Sequence, residues 1–313
     1  MTAPPLLVIG AGGLLGSSLV KCSPSATAPP ARIPWDGDPL PALRETANWF
    51  GRRVDGGEWR VAWCAGSGVV GTSPSRLASE TQSLDGFLDA LASSCSMADG
   101  AFFLASSGGG IHAGSTDDPI TERSVPAPMS AYGESKLEQE AIVRAWSMAT
   151  GTPVAIGRLS NLYGPGQDLS KPQGIISRLV RASLRSEPIL VFVSLDTVRD
   201  YIFAVDAARR VHDLLERVGR EGRNTHDRVT MKLIASGRPS TIGELIAELG
   251  RIRKRRPPIV FGVTDATQMQ PSALRFRSEV WPDLDRVPMV TLAEGIAAVV
   301  RDQVRQFSAG TAA

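Results

Sequence analysis

Tyr132 and Lys136 stand four residues apart in the stretch YGESK, residues 132–136. On a helix that spacing puts both side chains on one face. A free tyrosine ionises at about pH 10, too high for ready base chemistry near neutrality. An ammonium group beside it stabilises the phenolate and lowers that value. Such a pair can take a proton from an alcohol and give it back. Standing alone, YxxxK means no more than a tyrosine exposed on a helix, so its meaning rests on the elements that would position it.

Those elements alternate. LLVIGAG (6–12), RIPWD (32–36, weakened by Pro34), RVAWCAG (60–66), AFFLASSGGG (101–110) and PVAIGRLSNLYG (153–164) read as strands. Between them 14–22, 41–50, 75–94 and 130–150 read as helices, the last with Ser130 as N-cap. The pattern predicts βαβ units and a doubly wound parallel sheet. A parallel crossover needs about a dozen residues or more. The stretch from Gly37 to Glu58 has room for one helix and hardly another strand, so the sheet is expected to lack one edge strand. Further on, 174–184 reads as a helix, 201–218 as a turn and helix, 231–236 as a strand and 240–252 as a capped helix. The basic run RIRKRR (251–256) reads as a solvated helix end favoured by the helix dipole.

GAGGLLG places Gly10, Gly13 and Gly16 directly after the first strand and at the start of the first helix. Gly10 permits a tight turn, Gly13 lets the backbone approach a diphosphate, and Gly16 lets helix and strand pack closely. The helix N-terminus offers free N–H groups to the anion. A dinucleotide site of this kind takes an acidic residue about 20 positions on for the adenosine ribose. Asp36 stands there, with Asp38 competing, and a carboxylate favours NAD over a 2′-phosphorylated cofactor.

Composition narrows the classes. Lys and Arg total 34 against 32 Asp and Glu, a net charge of +2, which argues against a general nucleic-acid or membrane surface. Cys22, Cys64 and Cys95 are too few and scattered for a disulfide framework or a zinc site, so no metal is expected and a reducing cytoplasm suits the chain. The start of the chain reads as no signal peptide. No run approaches the roughly 18 apolar residues of a membrane span.

With these motifs in order, the chain resembles the extended short-chain dehydrogenase/reductase family, the nucleotide-sugar epimerases and dehydratases, over nearly its whole length. GAGGLLG is similar to the family's cofactor loop, WCAGSGVV (63–70) to its loop after the fourth strand, FLASSGGGIHAG (103–114) to its serine-bearing strand and YGESK to its catalytic helix. RLSNLYGPGQ (158–167), RDYIFAVDAA (199–208), SGRPSTIGELI (236–246) and VTLAEGI (290–296) resemble later family stretches.

The resemblance implies a Rossmann domain over 1–164 plus 197–236 and a smaller C-terminal α/β substrate domain over 165–196 plus 237–313. It implies that Leu14 and Leu15 offer backbone N–H groups to NAD, and that Ala65 and Gly66 line its adenosine–ribose side. Lys136 would also hold the nicotinamide ribose, Asn161 would touch the sugar or its first phosphate, and Arg199 would meet the diphosphate. Substrate choice would lie in loops 165–196 and 262–280. A homodimer through helices 75–94 and 130–150 is the corresponding expectation.

The chain departs from the family pattern in three places. The position expected to carry the catalytic hydroxyl is Gly108, and the nearest hydroxyls are Ser106 and Ser107, with Ser107 expected to polarise the sugar oxygen. His112 replaces a tyrosine and is either a packing residue or a titrating group. The missing edge strand also removes an acidic residue that often holds adenine. The expected reaction is NAD-dependent epimerisation of a nucleotide sugar, by oxidation at C4, turning of the keto sugar and re-reduction. Gly109 and Gly110 stand where a 4,6-dehydratase carries an acidic pair. The alternatives are an NADP-dependent nucleotide-keto-sugar reductase and a non-catalytic nucleotide-binding protein on the same fold.

Overall fold

The computed structural model describes residues 3–170, 173–222, 228–255, 258–262 and 271–309. Its centre is a parallel sheet whose strands bury alternate residues on opposite faces. The strands are β1 (Leu6–Ile9), β2 (Ala26–Thr27), β3 (Trp59–Trp63), β4 (Gly100–Ser107), β5 (Val154–Leu159) and, arriving late in the chain, β9 (Val229–Ile234). Their order is β2-β1-β3-β4-β5-β9, every neighbour parallel. Leu7, Ile9, Val61, Phe102, Leu104 and Ile156 face one side; Leu6, Val8, Ala62, Ala101, Phe103 and Ala155 face the other. That is the two-residue period of a strand covered on both faces.

The first face is closed by α2 (Leu40–Val54), α3 (Pro74–Ser94) and α5 (Ala131–Thr150), which contribute Phe50, Phe87 and Trp146. The second is closed by α1 (Leu14–Cys22) and α7 (Ala204–Glu221), which contribute Leu19, Val211 and Leu214. A one-turn helix, α4 (Gly108–Ile111), follows β4. No described strand lies between Thr27 and Trp59, so the chain passes from β2 through α2 straight to β3, and the sheet lacks the edge strand as expected.

The remaining elements build a second core. β6 (Asn161–Tyr163), β8 (Val198–Phe203) and β10 (Pro239–Thr241) form one small sheet in the order β10-β8-β6, and β7 (Ile189–Val191) pairs with β11 (Ile259–Phe261). Helices α6 (Ile175–Arg185), α8 (Ile242–Arg253) and α9 (Leu292–Ser308) pack on them through Leu179, Leu245, Leu249 and Val299. Both α8 and α9 start with full capping boxes, Thr241 with Glu244 and Thr291 with Glu294. No described helix is long and apolar enough to cross a membrane.

Two local expectations are corrected. The second strand is Ala26–Thr27 and not 32–36. Pro29 and Pro30 follow it after one residue, and proline cannot donate to a ladder. Residues 32–36 instead run as an irregular segment, with Ile33 in the core and Trp35 edge-on to Trp63 at 6.2 Å. The expected turn at 201–203 is the end of β8, which pairs with β6. In the basic run, Arg251 and Arg253 lie in the last turn of α8. Arg256, like much of 262–280, lies outside the described residues.

The last segment is pinned to the sheet by a buried cation. The Lys232 side chain on β9 is 1% exposed. Its Nζ donates to Ser278 Oγ at 2.7 Å, to the Val280 carbonyl at 2.6 Å and to Asp285 Oδ2 at 2.6 Å. Removing Lys232 takes the nearer cation from Asp285 and leaves it Arg210 at 3.4 Å. Lys232→Ala is expected to cost about 3 kcal/mol in urea unfolding, read as a lower midpoint at unchanged slope.

Candidate active site

Three close approaches join the glycine loop to the tyrosine helix. Gly10 has φ +85°, and a Cβ there would lie 2.6 Å from the Ala65 backbone nitrogen. Only glycine lets the turn after β1 touch the loop after β3. One step along, a Cβ on Gly66 would lie 3.6 Å from Lys136 Nζ. Two further, a Cβ on Gly68 would lie 3.3 Å from Tyr132 Cδ2. The loop Ala65–Gly68 thus has the cofactor-type turn at one end and the Tyr132–Lys136 pair at the other.

The glycine loop fits a diphosphate. Gly12 and Gly13 are exposed, and a Cβ added at Gly12 would meet nothing within 4 Å. Gly16 packs against the Gly10 carbonyl, where any side chain would overlap. Leu14 opens α1 and Leu15 is buried beneath it; Gly13, the N-cap, provides no side-chain cap, and the first turn holds no acidic residue. The N–H groups at this helix end are therefore available to an anion. Asp36 is exposed in a turn and does not stand at the end of a strand, because the strand ends at Thr27. Trp35, edge-on to Trp63, keeps that turn near the carboxyl end of β3. Asp38 instead stands just before α2, its Oδ1 accepting from Leu40 N–H at 3.0 Å.

Tyr132 enters α5 over the glycine run that follows β4. Ser130 caps the helix by accepting from Gly133 N–H at 3.3 Å. A Cβ on Gly110 would lie 2.7 Å from Tyr132 Cε1 and 3.1 Å from Ser107 Oγ, so the absent side chain is the space the phenol ring occupies. Ser107 Oγ accepts from Gly110 N–H at 3.0 Å. Burial raises the Tyr132 pKa; the neighbouring Ser107 hydroxyl pulls it down and the Glu80 carboxylate pushes it up. Burial lowers the pKa of Lys136, and the carboxylates of Glu80 and Glu140 push it up.

Here the geometry differs from expectation. Lys136 Nζ lies 6.0 Å from the Tyr132 ring centroid and donates to Gln139 Oε1 at 2.9 Å. The helix's own glutamine takes the ammonium, and Ser107 is the group that favours the phenolate.

Ser106 faces away from this chemistry. Its Oγ donates to Glu140 Oε1 at 2.7 Å. Glu140 is buried and accepts a two-pronged bond from Arg158, Nε to Oε1 at 2.9 Å and Nη2 to Oε2 at 2.8 Å. Arg158 Nη1 lies 3.0 Å from His112 Nε2. An arginine only donates, so Nε2 accepts and the imidazole is neutral. His112 is fully buried, and desolvation followed by the Arg158 charge holds its pKa down to about 4. His112 is a packing and hydrogen-bonding residue here, not a group that titrates near neutrality. Sequence reading missed Glu140, although its spacing of four from Lys136 puts it on the same helix face.

Asn161 and Arg199 lie on adjacent strands beyond β5. Asn161 is exposed, and its Nδ2 donates to the Asp200 carbonyl at 3.0 Å. Arg199 is half-buried and donates to the Val198 carbonyl at 2.8 Å. Among the described residues no carboxylate pairs with it, which leaves guanidinium N–H groups for an anion. Ser107 pairs with Leu159 in the β4–β5 register, two residues before Asn161, so both stand at the carboxyl end of the sheet. Among the described residues no cluster of three His, Cys, Asp or Glu could hold a metal ion.

A histidine held neutral leaves a mark on acid stability. The unfolded chain takes a proton on His112 below its ordinary pKa of 6.5, while the folded chain resists down to about 4. The stabilisation is whole above that window and is lost as pH falls through it, up to about 3 kcal/mol. His112→Asn is expected to flatten the unfolding free energy between these pH values relative to the parent protein.

Residues 62–226, more than half of the chain, match the NAD dependent epimerase/dehydratase family. Among curated relatives, the dTDP-L-rhamnose 4-epimerase of Burkholderia thailandensis is 39% identical over 97 residues, 31% of this chain and 27% of that protein. The chain thus spans little more than a quarter of that relative's length. Among solved structures, MoeE5 in complex with UDP-glucuronic acid and NAD superposes with a TM-score of 0.77 at 22% identity, covering 96% of this chain and 99% of that one. The UDP-glucose 4-epimerase of Thermotoga maritima with UDP-glucose gives 0.75 at 21%, covering 97% and 99%. These likenesses share the fold. The family match runs from β3 through the Ser107 turn and the Tyr132 helix past the end of α7, and on that length of agreement the chain belongs to the NAD dependent epimerase/dehydratase family.

Proposed function

We propose that the protein is an NAD-dependent nucleotide-sugar 4-epimerase. The observation that carries this reading is the loop Ala65–Gly68, which touches the anion-binding turn at Gly10 at one end and Lys136 and Tyr132 at the other. A dinucleotide laid along that loop would have its diphosphate at the N-terminus of α1 and its reactive end beside the phenol. The chemistry NAD supplies when bound is acceptance and return of a hydride at one carbon.

The chain's own residues supply the rest. Tyr132 takes the proton of the sugar hydroxyl and gives it back. Ser107, on the phenol's side of the turn, orients that hydroxyl oxygen. Leu14 and Leu15 offer their N–H groups to the cofactor diphosphate, and Ala65, Gly66 and Asp36 serve its adenosine ribose. Lys136 holds the nicotinamide ribose. Arg199 receives the nucleotide-sugar diphosphate and Asn161 the sugar or its first phosphate. The sugar lies in the cleft between the six-stranded sheet and the elements of the second core. The matched relative that is a dTDP-sugar 4-epimerase points to the same class. Dehydration is disfavoured, because Gly109 and Gly110 follow Ser107 and the Tyr132 ring fills the space where a side chain at 110 would stand. A homodimer through α3 and α5 and a cytoplasmic location complete the reading.

Mass spectrometry of nucleotide released from the purified, denatured protein should find NAD. Incubation with UDP- and dTDP-hexoses should give the C4 epimer of one of them. Tyr132→Phe should lower kcat by about 10²–10⁴-fold while NAD stays bound. Bound NAD with no sugar converted, and no effect of Tyr132→Phe on the protein's biological role, would instead mark a non-catalytic nucleotide-binding protein.

A further inference from the structure

Glu80 lies on α3, outside every motif that the sequence brought forward, and faces the same loop. Its Oε1 accepts twice from Ser67, from the backbone N–H at 2.8 Å and from Oγ at 2.9 Å. Its Oε2 is shielded from solvent and has no hydrogen-bond partner among the described residues. That bare oxygen lies 3.5 Å from the Cβ position of Gly66 and 3.3 Å from that of Gly68. Lys136 Nζ and Tyr132 Cδ2 approach the same two points, at 3.6 and 3.3 Å. Glycine at both positions leaves open the space on which the carboxylate and the pair converge. A shielded carboxylate oxygen without a donor is costly unless an opposite charge faces it. The facing cation is Lys136.

We propose that Glu80 is a positioning residue that sets the ionisation of the Tyr132–Lys136 pair, holding Lys136 as the ammonium and opposing the Tyr132 phenolate. In a low-dielectric site a carboxylate that shares this space acts on both groups. The other charges around the pair are already committed. Glu140, on the pair's own helix, is neutralised by the fork of Arg158 from β5, and His112 at the end of α4 is held neutral by the same arginine. Glu80 is left as the carboxylate whose free oxygen faces both Tyr132 and Lys136. It resists loss of the lysine's proton and makes the tyrosine a stronger base that is less often ionised. The catalytic consequence rests on the epimerase reading above; the ionisation itself does not.

The test is an NMR titration of the full chain, with 15N-labelled lysine and 13Cζ-labelled tyrosine and without substrate. Lys136→Ala and Tyr132→Phe assign the signals. Glu80→Gln keeps an acceptor for Ser67 and removes the charge. It is expected to move the midpoints of both Lys136 and Tyr132 to lower pH and to leave Tyr163 and Tyr201 where they are. Glu80→Asp, which withdraws the charge by one methylene, should move them the same way by less, and it decides the matter if the glutamine variant does not fold. Midpoints unchanged in the variant that folds, with only a loss of stability, would make Glu80 a tether for Ser67 and overturn the proposal. Once a sugar substrate is in hand, the kcat profile of Glu80→Gln should be displaced to lower pH with KM unchanged. Midpoints that move in a protein converting no sugar would sink the epimerase reading and leave this one standing.

Discussion

A carboxylate taken out of water must be matched in charge and in hydrogen bonds, and Glu140 is where this protein meets that demand. Arg158 from β5 forks onto it and Ser106 from β4 donates to it. In the parallel register Ser106 and Arg158 are direct neighbours, so one side chain on α5 clamps two adjacent strands. The helix that carries Tyr132 and Lys136 therefore cannot slide against the strand end that carries Ser107 without breaking a buried ion pair. The same arginine holds His112 neutral, which fixes the far end of the glycine turn. The position and the electrostatics of the site come from one desolvated cluster.

Around that clamp, missing side chains matter as much as present ones. Gly10 lets the turn after β1 reach Ala65, and Gly110 leaves its place to the Tyr132 ring. These contacts are backbone or ring against backbone, with no flexible side chain to give way. At Gly66 and Gly68 of the loop that results, Glu80 converges with Lys136 and Tyr132 on the space that absent side chains leave. The lost edge strand leaves this region intact, because the order β2-β1-β3 is completed by α2 alone. What changes is the turn holding Asp36, which is fastened by Trp35 on Trp63 and not by strand pairing.

Sequence periodicity carried much of the fold. The helices at 14–22, 75–94 and 130–150 and the strands around 6–9, 60–63 and 101–107 were legible because each is long or uniformly apolar and is punctuated by glycine or a capping serine. The segment 32–36 misled because an apolar run beside a proline looks like a strand until the preceding Pro29–Pro30 is weighed. The end of β8 was misread because three residues can be strand or turn, and pairing with β6 decides which.

By itself, the sequence determined the order of the motifs, the glycine loop at the start of α1, the tyrosine and lysine on one helix face, and a sheet one strand short. These are properties of neighbours in the chain, set by local sterics and by periods of two and 3.6 residues. Only the tertiary structure decided that Ser107 and not Ser106 faces the phenol, that Gln139 takes the lysine ammonium, that His112 is neutral, and that Glu80 looks onto the pair. Those outcomes depend on groups from α3, β4, α5 and β5 meeting in a space closed to water, where each charge takes its state from partners dozens of residues away.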